Sequence, residues 1–484
     1  MTALSIKNQW FSNIRADVLS GIVVALALIP ESIAFSFIVG VDPMVGLYAS
    51  FCIAIVIAFT GGRPGMISAA TGAMALVLVT LVRDHGIEYM FAATILTGII
   101  QIFIGWAKFA KYMKFVPKPV LVGFLNSLAI MIFTAQIRHF QGESWPMYAM
   151  VAASVLIIYL FPYITKVIPS SLVAIIVITI ISVLANSGVR TVGEIGDLPS
   201  TLPTFLLPNV PLNFETLKII FPYAISLSIV GLIESLLTAT VVDDMSETTS
   251  DKNREAKGQG IANIVSGFFG GMAGCGMIGQ SIINMKSGGR TRLSTFVAGA
   301  FLMVLIIVLR DIVFIIPMAA LVGVMFMVCV STFDWSTFKL VKSAPKTDVV
   351  VMIMTVLTVV WSNNLTLGVV VGILLSTIFF MIKMSKIEVE IDRINEKWVY
   401  TIKGQLFFAS ADELISQIDF NQTEGHIELD FSDAHIWDAS AVAAIDSIIT
   451  KLTDNGLYVT VGGINQSSRK IVRKLAIHPL LVDQ

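Results

Sequence analysis

Apolar residues fall in long runs between residues 19 and 384, separated by short polar segments. A helix needs roughly 20 apolar residues to cross a bilayer. The pattern predicts spans near 19–39, 43–60, 68–82, 89–107, 118–137, 146–163, 169–186, 219–242, 258–272, 276–287, 293–309, 314–331, 347–361 and 365–384. The third and tenth of these fourteen are too short to cross as ordinary helices. Both follow glycine-rich stretches, "GGRPGMISAATG" (61–72) and "GGMAGCGMIGQ" (270–280). The segment 187–218, with its prolines in "LPSTLPTFLLPNVP" (198–211), predicts an extended strap rather than a simple turn.

Beyond residue 386 the period changes. The stretches 398–410, 425–434 and 457–463 alternate as strands do, whereas 411–420, 440–456 and 468–477 follow helical spacing. A small α/β domain is expected there.

Composition supports this division. The 484 residues are 56% hydrophobic and 13% charged, with mean hydropathy +0.84, where a soluble domain is about 25% charged. Residues up to 386 carry a net charge of +6, and those after it −7. The expected organisation is therefore a polytopic α-helical membrane domain over 1–386 and a polar domain over 387–484. The first 18 residues are polar, and no cleavable signal peptide is expected.

With the N-terminus placed in the cytoplasm, the inner segments hold nineteen Lys/Arg, Lys166 among them, and the outer segments hold five. That asymmetry predicts both termini on the cytoplasmic side.

Fourteen spans divide into two sevens, and an odd count inverts the second copy. "LIPESIAFS" (28–36) pairs with "LIESLLTAT" (232–240), which aligns Glu31 with Glu234. Gly61, Gly62 and Gly65 pair with Gly270, Gly271 and Gly274, which sets Thr71-Gly72 opposite Gln280-Ser281. Inverted repeats with broken helices are the sequence sign of a secondary transporter. A half-helix beginning at mid-membrane leaves its first N–H groups unpaired and its dipole end positive. Two such ends make an anion site without a fixed charge.

Glu234 stands in an otherwise apolar run. A charge at mid-membrane costs roughly 2.5–3.5 kcal/mol on insertion scales, and a low dielectric disfavours the ionised form of a carboxyl. Two readings stay open: a group that takes up a proton as an anion binds, or a carboxyl held by local partners for packing. Glu31 follows Pro30 and either lines the same cavity or satisfies N–H groups that the proline frees.

Other chemistry is sparse. Cys52, Cys275 and Cys329 lie in apolar segments and read as small core residues, and the five histidines show no ligand spacing. "DDMSETTSDKNREAKGQG" (243–260) reads as a polar cytoplasmic linker. No metal, cofactor or nucleic-acid site is expected, and no catalytic set is present, which disfavours an enzyme.

The stretches "ADVLSGIVVALALIPESIAFSFIVGVDPMVGLYASF" (16–51), "VGEIGDLPSTLPTFLLPNV" (192–210), "GLIESLLTATVVDD" (231–244), "GQGIANIVSGFFGGMAG" (258–274) and "SGGRTRLS" (287–294) resemble motifs of the SulP anion permease family. The tail, with "DFSDAHIWDASAVAAI" (430–445), resembles a STAS domain. The resemblance implies seven plus seven inverted spans in the uracil-permease architecture, with a core domain that carries substrate and a gate domain. It also implies a homodimer in the plasma membrane that moves sulfate, bicarbonate, chloride or small dicarboxylates.

Carried over by motif, the substrate site would comprise Thr71, Gly72 and Ala73 with Gly276, Met277 and Ile278, and Gln280 and Ser281 stand where part of the family has an arginine. Glu234 and Thr238 match the coupling-ion region. Sodium-coupled bicarbonate carriers in the family tend to have Asp at the position of Glu234 and Thr at that of Ile278, so the resemblance favours a proton over sodium. In the tail, Asp438 and Ser440 match the loop that anti-sigma antagonists phosphorylate, with "DAS" in place of "DSS". The expected function is proton-coupled uptake of a small inorganic anion by an elevator-type mechanism. Sodium-coupled bicarbonate or dicarboxylate uptake, an uncoupled exchanger or channel, and a membrane-bound signalling protein with the STAS domain as output are the alternatives.

Overall fold

The computed structural model describes residues 3–165, 169–196, 198–394, 397–421 and 425–482. Lys166, counted above with the inner segments, and Asp197, within the 192–210 motif, lie outside the described residues. The chain divides into two compact units, Met1–Ile373 and Leu374–Gln484.

Each of the fourteen apolar segments carries a helix. They are α1 (Ile14–Val39), α2 (Pro43–Thr60), α3 (Gly72–His85), α4 (Ile87–Trp106), α5 (Lys118–Ile137), α6 (Trp145–Leu160), α7 (Ser170–Leu184), α8 (Phe214–Ser246), α9 (Lys252–Phe268), α10 (Ile278–Lys286), α11 (Arg292–Val308), α12 (Met318–Thr332), α13 (Lys346–Ser362) and α14 (Leu365–Met384). Among the described residues, eight helices are long and apolar enough to cross a membrane, and α7 and α11 are shorter apolar helices. Two three-residue strands, β1 (Ser68–Ala70) and β2 (Gly274–Gly276), precede α3 and α10. Pro30 does not end α1, which continues through it to Val39.

Small residues bring these helices close. Gly98 on α4 faces Gly260 on α9, and a Cβ at either would run into the other's carbonyl oxygen. In a membrane such contacts replace the hydrophobic drive that water would supply.

The loops that lead into α3 and out of α10 are each held by a buried carboxylate. Glu255 on α9 accepts from the Gly62 and Arg63 N–H groups at 2.7 and 3.0 Å. Asp17 on α1 accepts from the Arg290 and Thr291 N–H groups at 2.7 and 3.0 Å and from the Thr291 hydroxyl at 2.8 Å. Arg292 donates to the Ala58 and Gly61 carbonyls at 2.9 and 2.8 Å. In the 61–72 stretch Gly62 itself is gripped through its N–H, and in the 287–294 motif the grip falls on the two residues that follow Gly288 and Gly289.

The proline-rich stretch after α7 runs as a strap with one short helix, Val192–Ile195. Tyr48 donates to the Thr201 carbonyl (3.0 Å), the Leu206 N–H to Phe268 (2.8 Å) and the Asn209 N–H to Glu88 (2.7 Å). The stretch 243–260, expected as a linker, is mostly helix: only 247–251 lies between α8 and α9, and Asp243 near the end of α8 pairs with Lys252 of α9 at 2.8 Å and with Arg63 at 3.1 Å.

The second unit holds a five-stranded sheet built from β3 (Glu388–Ile394), β4 (Lys397–Leu406), β5 (His426–Asp430), β6 (Ala434–Ile436) and β7 (Tyr458–Gly462). The order is β3-β4-β5-β7, with β6 paired to β4, and only the β3–β4 pair is antiparallel. Tyr400, Ile402, Ile427, Leu429, Val459 and Val461 point inward at the two-residue period of a strand. α15 (Ala411–Ser416), α16 (Ala439–Asp454) and α17 (Gln466–Leu475) accompany the sheet. α16 buries Val442, Ile445, Ile449 and Leu452 against it. Two strands escape the sequence reading. β3 is an exposed edge whose Glu388, Glu390 and Asp392 mask any apolar alternation, and β6 spans three residues.

Candidate functional site

β1 and β2 come from different halves of the first unit and pair antiparallel, Ser68 with Gly276, Ala69 with Cys275 and Ala70 with Gly274. Each strand turns at once into a helix. Thr71 caps α3, its hydroxyl accepting from the Met74 N–H at 3.5 Å, and Met277 is the N-cap of α10. With 14 and 9 residues, the two helices extend about 21 and 13 Å, well short of the roughly 30 Å hydrocarbon layer.

Aligning the two strand–helix units sets Thr71 opposite Met277 and Gly72 opposite Ile278. That corrects the sequence pairing with Gln280-Ser281 by three residues. The approach from glycine to helix is longer in the first copy, seven positions from Gly65 to Gly72 against four from Gly274 to Ile278, so matching glycines did not fix the register.

Polar side chains hold the edge of β2 that faces away from β1. Asn263 accepts from the Gly274 N–H (2.9 Å) and donates to its carbonyl (3.1 Å). The Gly276 N–H donates to Ser235 (2.9 Å), and Thr238 donates to the Gly276 carbonyl (3.2 Å). Ser281 accepts from the Ile67 N–H at 2.9 Å. Gly276, Ser281 and Thr238 thus lie behind the wall of the site, occupied in holding the strands.

Both helix starts open on one cavity of about 660 Å³. Of the residues expected from sequence, Thr71, Gly72, Ala73, Met277, Ile278, Gln280, Glu31 and Glu234 line it. The sequence reading missed Phe35, Leu128, Ile132 and the segment Ser331–Ser336, which also line it. Phe35 stands four residues after Glu31 on the same helix face, a spacing that could have found it. Leu128 and Ile132 carried no such signal.

Glu31 is buried and accepts from Gln280 Nε2 at 2.8 Å. Glu234 is half-buried, and its Oε2 accepts the Cys275 thiol at 3.0 Å. The Cys275 sulfur lies 3.1 Å from the Thr71 hydroxyl. Each carboxyl therefore works across the two halves: Glu31 of α1 on α10, and Glu234 of α8 beside the cap of α3. Among the described lining residues the ionisable groups are Glu31, Glu234 and Asp334, all acidic, with no lysine, arginine or histidine. Such a cavity favours an anion only through its helix ends, and only when its carboxyls are neutral.

In the second unit, Asp438 caps α16, accepting from the Ala441 N–H at 3.0 Å and from the Phe408 N–H at 2.8 Å. Ser440 is exposed in the first turn of that helix.

Comparison with known proteins matches residues 14–149 and 145–355 to the sulfate permease family and residues 388–482 to the STAS domain. The chain is 58% identical over 475 residues to "Putative sulfate transporter YbaR" of Bacillus subtilis (strain 168), covering 98% of this chain and 99% of that protein. It is 27% identical over 523 residues to "Bicarbonate transporter BicA" of Picosynechococcus sp., covering 96% and 92%. Among solved structures it resembles the transmembrane domain of a cyanobacterium bicarbonate transporter BicA, with TM-score 0.66 and 28% identity over 76% of this chain and 98% of that one. It also shares the fold of the murine Solute Carrier 26 family member A9 anion transporter, with TM-score 0.83 and 16% identity over 100% and 95%.

Proposed function

The chain belongs to the sulfate permease family, as a multi-pass membrane anion transporter with a STAS domain, and from that premise we propose that it takes up a small inorganic anion of the sulfate or bicarbonate class by proton-coupled symport. In this reading residues 1–386 form the carrier, fourteen spans in two inverted sevens, and residues 387–484 form a cytoplasmic tail. The protein works in the plasma membrane as a homodimer with both termini inside. The unit bearing α3 and α10 carries the anion across by an elevator motion.

One observation carries the proton coupling: a cavity floored by two helix N-termini contains three buried or half-buried carboxyls, Glu31, Glu234 and Asp334, and no cationic side chain among its described lining residues. An ionised Glu234 would repel the cargo within a few ångströms, where a low dielectric makes repulsion strong. Protonation removes the repulsion and brings the proton along. Sodium is less favoured, because Thr238 at the expected coupling position donates to the carbonyls of Glu234 (2.7 Å) and Gly276 (3.2 Å), facing away from the cavity.

Uptake of radiolabelled sulfate and bicarbonate into proteoliposomes, with proton or sodium gradients imposed separately, tests the reading. Uphill accumulation driven by an inward proton gradient alone is expected. Accumulation that follows sodium, or flux that only equilibrates the anion, overturns it.

A further inference from the structure

The thiol of Cys275 has no place in the binding or coupling scheme above, yet it touches both parts of it. Its side chain is fully buried, 3.0 Å from Glu234 Oε2 and 3.1 Å from Thr71 Oγ1. The residue cannot drift from that position. Gly274 and Gly276 on either side of it are bonded through their backbones to Asn263, Ser235 and Thr238, and Cys275 itself is in register with Ala69. Thr71 is equally fixed, as the cap of α3, and is among the residues that line the cavity.

Resting on the proton-coupled reading, we propose that Cys275 is a positioning residue: its thiol relays the protonation state of Glu234 to the Thr71 hydroxyl, which is offered to the anion only when the carboxyl is neutral.

The hydrogens available to the three groups set the direction of their bonds. An ionised carboxylate accepts only, whereas a thiol and a hydroxyl each bring one hydrogen. With Glu234 ionised, the Cys275 S–H points to the carboxylate, and the Thr71 O–H points to the sulfur or to the carboxylate itself, which Thr71 also reaches. Every hydrogen in the chain then faces away from the cavity. When Glu234 takes up a proton it gains an O–H of its own. That hydrogen turns to the sulfur, the S–H turns to Thr71 Oγ1, and the Thr71 hydrogen is released toward the bound anion. No bond to a heavy atom forms or breaks beyond the proton taken up by Glu234; the donors reverse direction. A thiol is a weak donor in water but serves in a dry site where nothing competes with it.

Other polar groups stand around Glu234. Glu31 on α1 and Asp334 between α12 and the following helix share the cavity. α10 contributes Gln280, bonded to Glu31. On the far side of α8, Gln101 of α4 and Asn263 of α9 bond to each other at 2.9 Å.

Two measurements test the relay. The first is the KM for the anion against pH, in proteoliposomes, for wild type, Cys275→Ser and Cys275→Ala. Wild type is expected to bind more tightly on acidification. Cys275→Ser, which keeps a hydrogen to relay, retains that dependence with a displaced midpoint. Cys275→Ala loses about tenfold in affinity at acid pH, as expected for one hydrogen bond to an anion, with kcat changed far less. The second uses the intact protein: the S–H stretching band, isolated as the infrared difference between wild type and Cys275→Ser, shifts across the pH range of activation and stays fixed in Glu234→Gln. A wild-type protein that accumulates no anion under a proton gradient overturns the coupling reading and the relay together. Proton-driven wild-type uptake with an unaltered pH dependence of KM in Cys275→Ala, or with a band that does not move, overturns the relay alone.

Discussion

Glu234 and Glu31 were visible in the sequence because a carboxyl is conspicuous in an apolar run, and Thr71 and Gly72 through the resemblance of the third span's start to the family motif. Phe35, Ile132 and Cys275 were not, since an apolar side chain at a cavity wall and one in a core read alike. Replacing Glu234 with Gln makes a permanently neutral site, so anion uptake should lose its pH dependence and proton-driven accumulation should vanish, while anion exchange persists. In the proton-coupled reading the neutral form is the binding form, so wild-type uptake is expected to rise as the pH falls and the variant's profile to be flat. Gly72 is the other test at this scale. A Cβ there would lie 2.9 Å from Ile132 Cδ1 and 3.0 Å from Phe35 Cε1, both ends of flexible side chains. Gly72→Val should therefore fold, as judged by its elution as a single detergent-solubilised species, but lower uptake by about tenfold or more by filling the site.

At the scale of elements, hydropathy placed all fourteen helices but not the two three-residue strands that join them, because three residues carry no period. The glycine-rich stretches hinted at the strands, yet the glycines serve two different ends, the grip of Glu255 on the Gly62 N–H group and the close pairing of β1 with β2. Glu255 also accepts from Gln259 Nε2 at 3.0 Å, and that amide reaches Ser68 of β1 at 2.6 Å. Glu255→Ala strands the Gly62 and Arg63 N–H groups, each orphaned donor costing about 1–3 kcal/mol. The expected outcome is a clear fall in thermal unfolding temperature in detergent, with Glu255→Gln falling less because it keeps an acceptor oxygen. Asp17→Ala should behave in the same way through Arg290 and Thr291. Full stability in both alanine variants would show that the loops are held by something else.

At the scale of the whole molecule, the step from +6 to −7 in net charge and the change of period set the expected boundary at residue 386, whereas the two compact units divide between Ile373 and Leu374. The tail's strands and helices were largely legible because its core obeys simple periods. Its charged edge strand was not. Deleting residues 388–484 should leave measurable anion flux if the first unit holds the entire transport site, and complete loss from a deletion protein that still inserts would assign the tail a direct part in transport. Within the tail, Asp438 has its carboxylate engaged by two N–H groups. Asp438→Ala in the full-length chain should lower the stability of the second unit by about 1–2 kcal/mol, the usual cost of losing a helix N-cap, seen as earlier proteolysis of the tail.

The pairing of Ser68–Ala70 with Gly274–Gly276 has a consequence for biosynthesis. The first ribbon leaves the ribosome long before its mate exists, so the pocket cannot close until the second half has been threaded into the bilayer. A truncated product ending before residue 274 would be inserted yet empty. Two fragments divided within the 187–213 strap should each be inert and should recover activity only when made together in the same cell.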